Sequence, residues 1–378
     1  MAGRIAGNRV RLRPALSRTA IGVSDGRYMN ISAVAKRAGV SKATVSRVIN
    51  GTAHVVPETA KRVRAAIEEL DFYPDVNART LGSGRSRLYG LIISDITNPY
   101  FPELVKAFEN IAMEHGQDVL ISNTDYDPKR TERCVIRMLQ RKVDGVAVMT
   151  SEIDERLIRT FSKRQIPTIF MDTSTAVRGA SVVSVDYAEG VKQAMDHLFE
   201  LGHRKIAFIS GPLSLASAKL RAKAFLRGLR SHDLAAEPHW MQEGDHRVEG
   251  GHHAMLRILR QDPRPTAVLA SNDLTAIGAM GAIHECGLKI PRDISVVGFD
   301  DIQLSAYTQP ALTTVHVPRH ELAATAFRSL FQGQDQIAGK KFRKREYLIE
   351  PKLLIRQSTA EVSMPHRGEK KRLGAATG

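Results

Sequence analysis

The sequence predicts a small all-α head containing a helix-turn-helix, followed by a two-lobed α/β core. Residues Ile31 to Asn50, ISAVAKRAGVSKATVSRVIN, carry the apolar spacing of two short helices joined by a tight turn. From residue 88 onward, apolar β-rich runs alternate with helical patterns, as buried parallel strands linked by crossover helices do. Basic charge gathers with the head and at the chain ends, not in the core.

In the first helix Ile31, Val34, Ala35 and Ala38 recur on one face. Gly39 supplies the backbone freedom for a sharp turn, Val40 is placed to bury beneath it, and Ser41 is a good N-cap for the second helix. There Val45, Val48 and Ile49 face the first helix. Lys42, Ala43, Thr44, Ser46, Arg47 and Asn50 then point elsewhere, and this donor-rich set is what a DNA recognition helix presents. A third helix is signalled by Pro57, after His54 and Val55, and runs through Val63, Ala66, Ile67 and Leu70. Three small helices on one apolar centre separate this motif from an ordinary helical hairpin with a solvated basic face.

The 378 residues suffice for two or three domains. Of the formal net charge of +15, residues 1–28 carry +5, residues 29–88 another +5 and the final fifteen residues +3, which leaves +2 for the long middle. That distribution is the electrostatic footprint of phosphate contact by the head. Two cysteines, Cys134 and Cys286, fit a reducing compartment and no disulfide scaffold. With no secretory signal and no run long enough for a membrane span, the expected location is cytoplasmic.

Residues 1–28 have no clear period. They are either a basic arm that adds nonspecific DNA affinity or the product of a start placed too early, and the reading favours Met29 as the true start.

In the core, LYGLIIS, DVLIS, VDGVAVM, IPTIFM and SVVSV are separated by helical patterns such as Tyr100 to Glu114 and Pro128 to Arg141. After Asp186 the pattern begins again, with a helix from Ala188 to Leu201, KIAFIS, a helix around Leu220 to Leu229, TAVLAS, a helix from Asn272 to Cys286, and ISVVGF. Two lobes of similar plan are the economical reading. No G-x-G-x-x-G follows the first strands and there is no P-loop. Gly22-Val23-Ser24-Asp25-Gly26 matches a nucleophile elbow, yet no strand precedes it to build the strained turn. His252-His253 and His284 near Cys286 lack a third ligand at metal spacing. No catalytic residue, cofactor or metal is therefore expected. The rival class, a binding protein or sugar-modifying enzyme with an incidental basic head, would need an export signal or a convergent catalytic set.

In open α/β lobes ligands sit beyond the carboxyl ends of the strands. This gathers Asp95 to Phe101 (with Tyr100), Asp172, Ser214 to Arg221 (with Ser217), Asn272-Asp273 and Asp300 around one cleft. Carboxylates, an amide and an Arg suit a polyhydroxylated ligand, because each can engage vicinal hydroxyls in pairs. Asp300 could instead cap a turn, and Arg221 could pair internally.

Residues 29–88 resemble the headpiece of the lactose-repressor (LacI-type) family of bacterial transcription regulators, including the segment Phe72-Tyr73-Pro74-Asp75-Val76-Asn77-Ala78-Arg79-Thr80-Leu81. The resemblance extends to about residue 358 through Ile93 to Phe101, Gly211-Pro212-Leu213-Ser214, Ser271-Asn272-Asp273, Val296 to Asp301 and Pro310 to Val315. It implies a periplasmic-binding-protein-like core with three crossovers and an effector in the cleft. It also implies a hinge helix around Ala78, Arg79 and Leu81, with Leu81 wedged between base pairs in the minor groove of a pseudo-palindromic operator bound by a homodimer. Gly82 and Gly84 weaken that helix, so it is expected to order only on DNA. The resemblance puts Arg221 and Asp300 on ligand hydroxyls. It places His246 where relatives carry a bulky aromatic, so the expected effector is a sugar or sugar acid and not a purine base. The expected divisions are thus 1–28 extension, 29–73 head, 74–87 hinge and linker, 88–358 effector-binding core and 359–378 basic tail. The tail has no leucine heptads and no tetramerising coil is expected.

Overall fold

The computed structural model describes residues 30–51, 55–73, 85–150, 155–172, 180–336 and 345–362. The chain divides into two compact units, Met1–Arg85 and Ser86–Gly378. The extension before Met29, the hinge residues Ala78, Arg79 and Leu81, and His54 lie outside the described residues.

In the first unit, α1 (Ile31–Ala38) starts from Asn30, whose side-chain oxygen accepts the N–H groups of Ser32 and Ala33 at 3.0 and 3.1 Å. That cap satisfies two donors the helix cannot. Gly39 takes the left-handed conformation at φ 65°, which lets the Val40 N–H close onto the Ala35 carbonyl at 3.0 Å. Ser41 Oγ then accepts from Thr44 N at 3.1 Å and opens α2 (Lys42–Asn50). Pro57 is the first residue of α3 (Pro57–Glu69), where its missing N–H costs nothing. Val34, Ala35, Ala38, Val45, Val63 and Ala66 form the shared core, with Ile31, Val40, Val48, Ile49, Ile67 and Leu70 half-buried around it. Phe72 joins this core from just beyond α3 and closes its open side.

The second unit runs β1 (Leu88–Ile93), α4 (Tyr100–Glu114), β2 (Asp118–Asn123), α5 (Pro128–Gln140), β3 (Gly145–Met149), α6 (Glu155–Lys163), β4 (Thr168–Met171) and β5 (Ser181–Val185). The chain crosses through α7 (Tyr187–Glu200) to β6 (Ile206–Ser210), α8 (Ala216–Arg230), β7 (Met241–Glu243), α9 (Val248–Leu259), β8 (Ala267–Ala270), α10 (Asp273–Glu285), β9 (Ser295–Asp300) and β10 (Thr313–His316). It returns through α11 (Arg319–Gln336) to β11 (Glu346–Ile349) and ends in β12 (Lys352–Leu354).

The strands make two six-stranded sheets, ordered β11-β5-β4-β3-β1-β2 and β12-β10-β9-β8-β6-β7. All pairs are parallel except β10 with β12. Helices cover both faces of the parallel strands, so β3, β4, β6, β8 and β9 are buried along their whole length. Between the sheets the chain crosses three times, at α7, at α11 and between β11 and β12. Among the described residues, no helix is long and apolar enough to cross a membrane.

Two differences from the sequence reading have physical causes. The short strands β7, β10, β11 and β12, three or four residues each, carry too few residues to show a period. The core also continues past residue 358. Ala360 N donates to Ser295 Oγ at 3.1 Å, Val362 N donates to the Leu201 carbonyl at 3.0 Å, and His203 Nε2 lies 3.0 Å from the Ala360 carbonyl. A segment held by backbone hydrogen bonds shows no apolar pattern, which is why residues 359–362 read as tail.

One close approach sets the far wall of the second lobe. Gly278 in α10 lies against the backbone of α9 at Val248 and His252, and Gly251 in α9 lies against Thr275. A Cβ at Gly278 would strike the Val248 carbonyl, whereas one at Gly281 would meet only ordinary contact at 3.7 Å. Gly278→Ala should therefore lower stability by about 1–3 kcal/mol through overpacking. Gly281→Ala, on the same helix, should raise it by about 0.5–1 kcal/mol by removing a helical glycine. Thermal and urea unfolding of the two variants checks the pair, and equal effects would contradict the packing.

Candidate functional site

On the head, Lys42, Ala43 and Arg47 are exposed along one side of α2. Thr44, Ser46 and Asn50 are half-buried and partly engaged within the helix. Thr44 Oγ1 lies 3.0 Å from Ser41 Oγ, and Asn50 Nδ2 donates to Ser46 Oγ at 3.2 Å. Lys42 and Arg47 are the charged donors of the exposed side.

In the core, eight of the nine expected residues line one cavity of about 100 Å³ at the carboxyl ends of the two sheets. They are Tyr100, Phe101, Asp172, Ser217, Arg221, His246, Asn272 and Asp300. Most sit where a strand ends or a helix begins, while Arg221 lies in the second turn of α8 and His246 in the loop between β7 and α9. Asp172 follows β4 and Asp300 closes β9, both at positive φ (61° and 107°), while Tyr100, Ser217 and Asn272 stand at the starts of α4, α8 and α10.

Arg221 is the centre of this site. Its guanidinium carbon lies 4.2 Å from the Tyr187 ring centroid and 4.4 Å from that of Phe299. Nη1 donates to the Ser271 carbonyl at 2.9 Å, and Nη2 stands 3.5 Å from Asp300 Oδ1. Its Nε is buried and has no protein partner. Burial pulls the Arg221 pKa down, but Tyr187, Asp300 and Asp172 outweigh it and hold the group firmly cationic.

Burial raises the Asp300 carboxyl to about 7 against the pull of Arg221 and Arg319. Asp172 is also raised by burial, with Arg221 and a short hydrogen bond from the Tyr187 hydroxyl opposing the shift. His246 is pushed down to about 3 by burial and by Arg221, so its ring is neutral. Its Nε2 lies 3.0 Å from Ser271 Oγ. The ring packs over Gly211, where any Cβ would collide with it.

Asn272 lines the cavity with its amide already engaged. Its oxygen caps α10 by accepting from Thr275 N at 2.9 Å, and its Nδ2 donates to the His246 carbonyl at 3.1 Å. It holds the His246 loop in place. Asp95 stands outside the cavity lining. Its Oδ1 accepts from Thr97 N and Oγ1 at 2.9 and 2.6 Å, and its Oδ2 accepts from Arg247 Nη2 at 3.1 Å. The carboxylate joins the first lobe to the second next to the cavity. A second bridge runs from Glu103 to Arg319 at 2.8 Å and to Gln303 N at 3.0 Å.

Sequence reasoning missed Tyr126, Thr150 and Tyr187, which also line the cavity, while Asn98, inside the expected segment Asp95 to Phe101, does line it. Tyr187 opens α7 with only Asp186 between it and the end of β5, so its position near a strand end was the available signal. Tyr126 comes from a loop whose backbone turns at positive φ, and nothing in the local pattern marks it.

A three-helix head with a donor-bearing second helix, in one chain with a two-lobed core around a polar cavity, defines a class: a DNA-binding transcription regulator with a ligand-binding domain. The model of bacterial regulatory proteins of the lacI family matches residues 30–75, and that of the periplasmic binding protein-like domain matches residues 195–359. The chain is 38% identical over 333 residues to the HTH-type transcriptional repressor PurR of Edwardsiella ictaluri, covering 88% of this chain and 97% of that one. It is 34% identical to PurR of Aliivibrio salmonicida over 87% of this chain and 98% of the relative. Among solved structures, the lac repressor dimer bound to operator and the anti-inducer ONPF superposes with a TM-score of 0.79 at 30% identity, over 88% of this chain and all of that one. The transcriptional regulator CelR in its cellobiose complex gives 0.66 at 27% identity, over 87% and 99%. The chain belongs to the lacI family of bacterial regulatory proteins.

The charge states make a pH prediction. Asp300 has a folded pKa of about 7, above the ordinary 3.8, so the folded state binds the extra proton and stability falls as pH rises through that window. Asp300→Asn mimics the protonated carboxyl at every pH. Its melting temperature should match the wild type below about pH 4, exceed it increasingly from there to about pH 7, and stay several degrees higher at pH 8. A difference independent of pH, read by calorimetry across that range, would contradict the assignment.

Proposed function

We propose that this regulator is a cytoplasmic repressor that holds a pseudo-palindromic operator as a homodimer and whose operator affinity is switched when a small sugar or sugar acid occupies the interlobe cavity. The observation that carries the reading is the cavity itself. It is a polar cleft between two lobes, set with acceptors on Asp172 and Asp300 and donors on Arg221 and Ser217, and bridged beside it by Asp95 and Arg247. Vicinal hydroxyls pair with such groups two at a time. His246 offers a smaller ring than a bulky aromatic and adds ring nitrogens, which favours a hydroxylated ligand over a flat base. The CelR structure carries cellobiose and the lac repressor structure carries operator, which supports the same pairing of ligand and DNA here.

The mechanism is linkage. A ligand that favours one arrangement of the lobes shifts the population toward it, and only its differential affinity for the two arrangements can do so. On DNA, Arg47 reads a guanine edge through two hydrogen bonds, Lys42 and Ala43 set the adjoining preference, and Thr44, Ser46, Asn50 and His54 add base or phosphate contacts. Ala78, Arg79 and Leu81 form the paired minor-groove hinge, with Leu81 as the wedge. The protein is a regulator and not an enzyme.

Selecting genomic fragments on the full-length protein, with and without candidate sugars, tests the whole reading. Fragments should share a two-fold site, and their retention should change on adding the right sugar. Arg47→Ala should relax specificity at one symmetric base pair, costing about 1–3 kcal/mol there. A uniform loss over all sequences would contradict its role. In a thermal-shift screen, strong stabilisation by a nucleobase with none by any sugar or sugar acid would reject the carbohydrate effector.

A further inference from the structure

Among the described residues, three side chains that carry charge line the cavity: Arg221, Asp172 and Asp300. Two acids therefore face one cation. The other cations nearby are committed elsewhere. Arg247, more than half exposed, bonds to Asp95, and Arg319 is paired with Glu103 while also donating to the carbonyls of Asp300 and Asp301. The fourth titratable ring, His246, is neutral. Helix starts at Tyr100 and Ala216 open on the cavity and supply N–H groups and partial charge, but no full cation.

Above about pH 7, where Asp300 is ionised, an anionic ligand entering this site would lose its water and meet carboxylate charge around a guanidinium already set against Asp300. A neutral polyol meets none of that repulsion. Its hydroxyls can donate to Asp172 and Asp300, which line the cavity.

We infer that the effector is an uncharged polyhydroxylated molecule, and that the site rejects sugar acids and sugar phosphates. The inference rests on the carbohydrate reading of the cavity given above and narrows it to one charge class. Asp172 and Asp300 are then specificity determinants as well as hydrogen-bonding groups.

The test is isothermal titration of the full-length protein at pH 8 with glucose, galactose, ribose and cellobiose. A second arm uses glucuronate, galacturonate, glucose 6-phosphate and ribose 5-phosphate, and a third uses adenine. The expected result is that a neutral sugar binds at least about tenfold more tightly than its own acid or phosphate, a difference of about 1.4 kcal/mol. In Asp172→Asn and Asp300→Asn the ratio between neutral and anionic partners should shrink, even where both affinities fall. An acid or phosphate that binds wild type as tightly as its neutral parent would overturn the inference and leave the carbohydrate reading standing. Binding of adenine alone would overturn both, and a failure of every neutral sugar to bind also counts against the inference. An unchanged ratio in both variants would show that the two carboxylates do not set the charge class.

Discussion

The buried guanidinium of Arg221 is the interaction on which the core's chemistry depends. A cation with so little access to water is tolerable only where its surroundings replace hydration. Here Tyr187 and Phe299 supply ring faces, the Ser271 carbonyl supplies an acceptor, and Asp300 and Asp172 supply opposite charge. The dependence runs both ways. Without Arg221, two carboxyls would remain in a site that already pushes each toward its protonated form. Its charge also keeps His246 neutral.

The same group ties elements that are far apart in the chain. Arg221 comes from α8 and Asp300 from the end of β9 in the second lobe, while Asp172 ends β4 in the first. Tyr187 connects them, with its ring against Arg221 and its hydroxyl on Asp172. A ligand that competes for any member of this set changes the balance across the lobe boundary. The Asp95 and Glu103 bridges lie outside the lining and hold the same boundary from two sides. The proposed linkage requires that lobe arrangement and cavity occupancy form one equilibrium, and these contacts lie where the two would meet.

Much of this was legible in the sequence. The parallel strands are fully buried, so they appear as unbroken apolar runs such as IPTIFM and ISVVGF, and the residues just after them fall at the cavity by the geometry of parallel sheets. That rule found Asp172, Arg221 and Asp300 without any knowledge of packing. It failed where a side chain's neighbours decide its role. Asp95 also follows a strand, but Thr97 and Arg247 turn its carboxylate into a bridge. Asn272 reaches the cavity with its amide already bound to Thr275 and His246. On α2, the spacing identified which side chains leave the head's core but not that Asn50 bonds to Ser46. The last strands and residues 359–362 are held by backbone pairing, which leaves no periodic trace in side-chain chemistry.

The route from cavity to head must pass through the first residues of the second unit, and these are firmly fixed. Asp144 accepts the N–H groups of Ser86 and Arg87 on its two carboxylate oxygens at 3.0 and 2.8 Å. Asp118 N donates to the Arg87 carbonyl at 2.8 Å, and Asp144 N donates to the Leu88 carbonyl at 2.7 Å. The chain is thus clamped to the amino-end edge of the first sheet, while Asp172 and Asp95 sit at its carboxyl end. Strands that are buried along their length and close-packed transmit rotation as rigid bodies and do not absorb it. A change in how the first lobe meets the second at Asp95 and Glu103 therefore reaches Ser86 as a change of direction.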